Sequence, residues 1–278
     1  MSNPLDGFYR TKEIYVKLPT QGRWYTDPPN LTDAGEIGIY PMTMRDEMLL
    51  SVPDALYNGE SLFELFASIC PDIKDPYELC SPDVDVLLLA AKAATYDNKL
   101  AVTSQCSKCK EQNTYEIDLA SVLSKIKVID DVTSLDINGL SIVFKPNTLA
   151  VVNAQAIKNA ETAKMIREMG DSTFDDAKRS DQFRESLART TAANMAILAD
   201  SILTITTPDN VVVKNIDHII EWLTNSERAV VDKLLKFAGE LNQNGIQNEF
   251  NFKCANVECE DEFTAPVEFN PSFFFKSG

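Results

Sequence analysis

The sequence predicts an α+β protein in which helical subdomains alternate with short β-hairpins. Three observations predict it. Apolar residues recur every three or four positions over 83–96, 148–203 and 226–241. Asn138-Gly139 and Thr207-Pro-Asp-Asn210 interrupt β-prone runs with turn residues. Two cysteine knuckles, Cys106-Ser-Lys-Cys109 and Cys254-Ala-Asn-Val-Glu-Cys259, lie far apart and share flanking patterns. Each is followed by an acidic stretch and then alternating residues: Tyr115, Ile117 and Leu119 after the first, Phe263, Val267 and Phe269 after the second.

Two such hairpins offer four thiolates, enough for the corners of a tetrahedral zinc site. Cys106, Cys109, Cys254 and Cys259 are the candidate ligands, holding one structural Zn2+ per chain in a composite, zinc-ribbon-like site. Four thiolates close the coordination shell, whereas a catalytic zinc keeps a position open. The competing readings are a disulfide pair and thiol redox chemistry. A disulfide needs an oxidising compartment, and Met1-Ser-Asn-Pro-Leu-Asp6 lacks the apolar core of a signal peptide. A redox CxxC would not need the second knuckle.

In chain order, the segments are 1–45 (extended), 46–105 (helical), 106–147 (first knuckle and hairpin), 148–203 (helical pair), 204–249 (hairpin and helices) and 250–278 (second knuckle and aromatic tail). Ile14, Val16 and Leu18 alternate as a strand, and a second strand covers 36–40 with Ile37 and Ile39 on one face. Thr43 is the expected N-cap of a helix reaching about Ser51, with Asp46 and Glu47 in its first turn. Asn58-Gly59 reads as a turn. Ser61 is the expected cap of a helix carrying Leu62, Leu65, Phe66 and Ile69. The helix over 83–96 is apolar nearly all round, so it should be buried. Cys70 and Cys80 read as small buried thiols.

Tyr115 to Leu119 is an expected strand, and Val132–Ile137 pairs with Leu140–Phe144 around Asn138-Gly139. Thr148 caps the first long helix and Gly170 stops it. After a linker at Phe174, the residues Phe183, Leu187, Thr191, Met195, Leu198 and Ile202 form one stripe. That stripe fits a core face, or an arm that meets a partner subunit. A hairpin over 201–214 follows, then a short helix from Ile216 to Leu223. Ser226 is the expected cap of the last helix, whose face carries Val230, Leu234, Phe237 and Leu241. The tail, Glu268-Phe-Asn-Pro-Ser-Phe-Phe-Phe-Lys-Ser-Gly278, places Phe273, Phe274 and Phe275 as candidate partner-binding residues.

The chain has 278 residues, 44% of them hydrophobic, and a net charge of −16. A sizeable core is expected, and that charge argues against phosphate-mediated nucleic-acid binding and against an anionic membrane surface. The longest apolar block, Val86 to Ala94, is broken by Lys92 and is too short to span a bilayer. The single histidine, His218, has no nucleophile near it in sequence and reads as a helix-surface residue. No Walker loop, dinucleotide fingerprint, HExxH, nucleophile elbow or calcium loop is present. An enzyme is therefore not expected.

Four elements occur in a familiar order: Leu18-Pro-Thr-Gln-Gly-Arg-Trp-Tyr25, a short strand with Pro41-Met-Thr-Met-Arg-Asp-Glu47, the apolar helix ending in Thr95-Tyr96-Asp97, and a CxxC. This order resembles the baseplate protein family of T4-like, contractile-tailed bacteriophages, whose members are described as baseplate hub or hub-assembly proteins. The resemblance is best over residues 10–120, and no motif in 148–203 contributes to it. It implies a structural virion protein in the wedge, hub or ring region of a tail baseplate, assembled in the host cytoplasm. Its partners would be other baseplate and tail proteins in a large hetero-oligomer, with no catalysis, nucleic acid or membrane. An assembly chaperone absent from the mature virion is the alternative. Cys106, Cys109, Cys254 and Cys259 carry over as zinc ligands, the wider CxxxxC being a departure from a two-residue spacing.

Overall fold

The computed structural model describes residues 4–5, 8–50, 60–170, 176–247 and 249–267. The chain divides into two compact units, one of residues 1–76, 82–129 and 244–278, the other of 77–81 and 130–243.

The first unit opens with β1 (Ile14–Lys17) and β2 (Glu36–Ile39), an antiparallel pair in which Val16 faces Ile37. Val16, Ile37 and Ile39 are buried, as their alternation requires. Next come α1 (Met44–Leu50) and α2 (Glu60–Ile69). Thr43 caps α1: its Oγ1 accepts from the Asp46 N–H at 3.3 Å, and the Asp46 carboxylate accepts the Thr43 N–H at 2.7 Å. Ser61 does not cap α2, which begins one residue earlier. It is buried in the first turn and donates to the Leu49 carbonyl at 3.0 Å. The expected turn at Asn58-Gly59 lies outside the described residues.

Helix α3 (Ser81–Thr95) is the centre of this unit. Val84, Val86, Leu87, Leu88, Leu89, Ala90 and Ala91 are all buried, so it is enclosed on every side. Within its first turn Asp83 is fully buried, the apparent misfit in an apolar helix. Its carboxylate accepts from the Thr20 N–H at 3.0 Å, from Thr20 Oγ1, and from the Tyr25 hydroxyl at 2.7 Å. The loop 18–25 is thereby wound around one carboxylate. Its turns put Gln21, Gly22 and Trp24 at positive φ. Arg23 completes it, donating to the carbonyls of Thr20 and Ile129 and lying over the Trp24 ring. The Leu18–Tyr25 motif thus has a physical reason: it supplies the donors that a buried carboxylate needs.

After α3 come β3 (Lys99–Gln105) and β4 (Gln112–Asp118), one hairpin, then the short α4 (Leu119–Leu123). The unit closes with β9 (Glu249–Lys253) and β10 (Glu262–Pro266), a second antiparallel hairpin. Cys70 is buried outside the knuckles, and burial pushes its thiol up to about 12. Cys80, in the other unit, is likewise buried.

The second unit is built on a four-stranded antiparallel sheet in the order β5-β6-β7-β8: Ser134–Ile137, Leu140–Phe144, Ile202–Thr206 and Val212–Val213. Asn138 and Gly139 both take positive φ, the conformation that a two-residue hairpin turn demands. Between β6 and β7 stand α5 (Leu149–Gly170) and α6 (Asp176–Asp200). Ile202, expected on the helical stripe, belongs instead to β7, because α6 ends at Asp200. The expected linker residue Phe174, and the side chains of Phe183 and Leu187, lie outside what is described. Two further helices, α7 (Ile216–Asn225) and α8 (Arg228–Asn242), complete the unit. Phe237 of α8 packs on Phe144 with ring centroids 4.9 Å apart. Asn147 and Asn242 join through two hydrogen bonds, both of 2.7 Å. Ser226 is not the cap of α8; Glu227 holds that position, and Ser226 Oγ donates back to the Trp222 carbonyl at 2.7 Å. His218 is exposed on the first turn of α7.

Candidate metal centre

Each cysteine knuckle is the turn of a hairpin, so strand pairing fixes where its sulfurs lie. In the first, the Cys106 N–H donates to the Glu111 carbonyl at 2.9 Å; in the second, the Cys254 N–H donates to the Asp261 carbonyl at 2.8 Å. In each, the residue after the second cysteine takes positive φ: Lys110 at 63° and Glu260 at 44°. The two knuckles are therefore equivalent at both ends. The two extra residues of the second are accommodated before Cys259, where Val257 is 85% exposed.

The hairpins meet through the knuckles. The four Sγ atoms all lie within 4.8 Å of one another. Cys106 Sγ is 3.9 Å from Cys259 Sγ, and Cys109 Sγ is 3.6 Å from Cys254 Sγ. A disulfide bond is about 2.05 Å long, so these are not disulfides. A tetrahedral ion held by thiolates at about 2.3 Å places its sulfurs about 3.8 Å apart, close to the 3.9 and 3.6 Å of these two pairs. The donor set and its geometry fit a metal ion such as zinc, and Cys106, Cys109, Cys254 and Cys259 are the residues that would hold it.

Backbone amides prepare the sulfurs for negative charge. Hydrogen bonds from the backbone N–H of Cys109 and of Lys108 bring the Cys106 thiol down to about 7, against the effect of burial. The N–H groups of Glu111, Asn256 and Asp261 act the same way on Cys109, Cys254 and Cys259. Burial and neighbouring sulfurs outweigh them there, so those three thiols are held above the usual range. Four thiols in contact hinder one another's ionisation, and a bound cation removes that hindrance.

Around the sulfurs, side chains tie one hairpin to the other. Asn256 Nδ2 donates to Glu111 Oε2 at 2.7 Å. Asn113 Nδ2 reaches Cys254 Sγ at 3.7 Å. The Tyr115 ring stacks on Phe252 at 4.4 Å and meets Phe263 edge-on at 6.3 Å. Sequence reasoning singled out the cysteines but missed Asn113 and Tyr115. Their signal is faint: both lie on the face of β4 that also bears Ile117, so a shared face was all that could have marked them.

A family model described as T4 bacteriophage base plate protein matches residues 12–276, nearly the whole chain. The chain belongs to this baseplate family. The matched span includes 148–203, from which no motif contributes to the resemblance. Comparison with curated proteins and with solved structures gave no match. Membership of the baseplate family carries a structural role in a phage baseplate, a place in the virion tail and interaction with other tail proteins. Among the described residues, no helix is long and apolar enough to cross a membrane.

Proposed function

We propose that the chain is a structural subunit of the baseplate of a contractile phage tail, in its wedge, hub or ring region, with one zinc ion per chain used structurally. The family match over residues 12–276 carries the baseplate part of this reading. The four-cysteine cluster carries the zinc part. Four thiolates leave no open position for a substrate, so the ion's work is mechanical. It clamps two hairpins whose knuckles are more than a hundred residues apart in sequence, in a reducing cytoplasm where a disulfide would not last. Catalysis forms no part of this role.

Partner binding is assigned to several surfaces of a large hetero-oligomer. Phe273, Phe274 and Phe275 are the proposed anchors in a neighbouring subunit; they lie outside the described residues, and their sequence alone supports the assignment. The net charge of −16 suits partners with basic faces.

Quantitative mass spectrometry of purified mature particles tests the role. A fixed, low ratio of this chain to the tube and sheath proteins is expected. Its absence from mature particles, with presence in assembly intermediates, would replace the structural subunit by an assembly chaperone.

A further inference from the structure

The unit that holds the four cysteines also carries a groove of about 470 Å³, lined by β4 and α4 and by β9. Ile117, Val122 and Phe252 in its lining are buried, and Tyr115 and Phe250 are half-buried. A concave site with apolar side chains and a few polar ones suits an apolar ligand segment. Both faces of each strand contribute: Glu116 beside Ile117, and Asn251 beside Phe252. The groove therefore follows strand edges rather than a sheet face. Among the described residues, β4 pairs only with β3 and β9 only with β10, which leaves each strand one edge outside a ladder. Such an edge offers backbone N–H and C=O groups to an extended segment.

One segment of this chain is delivered to the groove. Strand β10 runs antiparallel to β9, and its last residue, Pro266, pairs with Glu249, the first residue of β9. Val267, which is buried, is the last described residue. The chain thus leaves at the end of β9 near which Gln247 lines the groove. Eleven residues follow, Glu268 to Gly278, and Asn270-Pro271 among them favours a turn. The seven residues after that turn extend about 23 Å, against about 17 Å for the five of β9. In an extended run Phe273 and Phe275 share one face, with Ser272, Phe274 and Lys276 on the other.

We propose that, before assembly, this groove seats the chain's own aromatic tail, with Phe273 and Phe275 on the apolar lining and the backbone of 272–276 along an open strand edge. Tethering decides the occupant. A segment joined to the groove by only the four residues Glu268 to Pro271 meets it at an effective concentration of about a millimolar or more, which a free apolar peptide does not match. This goes beyond the partner-binding role proposed above, because it concerns the chain before it joins a neighbour. Groove and neighbouring subunit compete for the same side chains. The seat keeps the phenylalanines off other apolar surfaces until a partner takes them.

Alternation makes the three phenylalanines unequal. Phe273→Ser together with Phe275→Ser removes both rings from the groove, and the tail should come away. Phe274→Ser alters the opposite face, and the tail should stay. The amides of β4 and β9 report which has happened, because an edge N–H covered by the tail exchanges with solvent more slowly than an open one.

The experiment is hydrogen–deuterium exchange on the full chain, as wild type, the Phe273→Ser/Phe275→Ser double variant and Phe274→Ser, at two protein concentrations. Peptides from β4 and β9 should exchange about tenfold faster in the double variant, and at the wild-type rate in Phe274→Ser. Peptides from α3 should be unchanged in all three, which shows that the variants are folded. Equal exchange in the wild type and the double variant would overturn the proposal. So would Phe274→Ser behaving like the double variant, because the alternating seat would then be wrong. Protection that disappears on dilution would also overturn it, by giving the groove to the tail of a second copy. None of these results touches the presence of the chain in mature particles, which is measured separately.

Discussion

Cys254→Ser should lower the stability of the unit that contains both knuckles by about 4 kcal/mol, or about 8–16 °C in melting temperature. The argument starts from chain entropy. Closing a loop of more than a hundred residues with one cross-link is worth roughly 4–5 kcal/mol in the chain-entropy account. A metal ion on Cys106, Cys109, Cys254 and Cys259 is such a cross-link. Serine is nearly isosteric with cysteine but is a poor ligand for zinc, so the variant keeps its packing and loses the clamp. Cys106→Ser should behave in the same way. Cys70→Ser is the control: it lies outside the cluster, so it should leave metal content unchanged while costing only its own burial. Thermal melts of the three variants, with and without chelator, check this. Chelator should destabilise the wild type and have little further effect on Cys254→Ser.

Asp83→Ala should cost about 3–5 kcal/mol, because it strands the Thr20 N–H, the Thr20 hydroxyl and the Tyr25 hydroxyl in a buried site. The carboxylate is itself a liability when charged. Burial pushes it up to about 6 from 3.8, against the opposing hydrogen bonds from Thr20 and Tyr25. Asp85 is also pushed up to about 6 by burial. In each case the folded state keeps a proton between about pH 4 and pH 6 that the unfolded chain has already lost. Stability contributed by these two groups is therefore highest below about pH 4, falls as pH rises through 6, and is flat above. Asp83→Ala should remove its share of that slope as well as lowering stability. Denaturant melts at pH 4.5, 6 and 7.5 measure both effects; a variant with the wild-type slope would show that Asp83 is not the titrating group.

Legibility in the sequence followed the range of the interaction. Local signals were readable: the Asn138-Gly139 turn, the Thr43 cap and the all-round apolar α3 each depend on residues within one or two turns. Ser61 and Ser226 misled for a related reason. A serine near a helix start has several carbonyls in reach: Ser61 bonds Leu49 of the preceding helix, and Ser226 bonds Trp222, one turn back at the end of α7. Ile202 continued a four-residue rhythm past the end of α6, where β6 captured the chain as a strand partner. The knuckles were visible because cysteine pairs are rare. What surrounds them was not, since Asn113 reaches a sulfur about 140 residues away in sequence. The burial of Asp83 was equally hidden, because its three donors come from a loop some sixty residues earlier.

Metal content of the purified chain tests the central claim most directly. Elemental analysis together with native mass spectrometry, on protein prepared without added metal, should find one zinc per chain, lost on Cys106→Ser and on Cys254→Ser. A wild-type chain that is free of metal and melts at the same temperature with and without chelator would contradict the clamp.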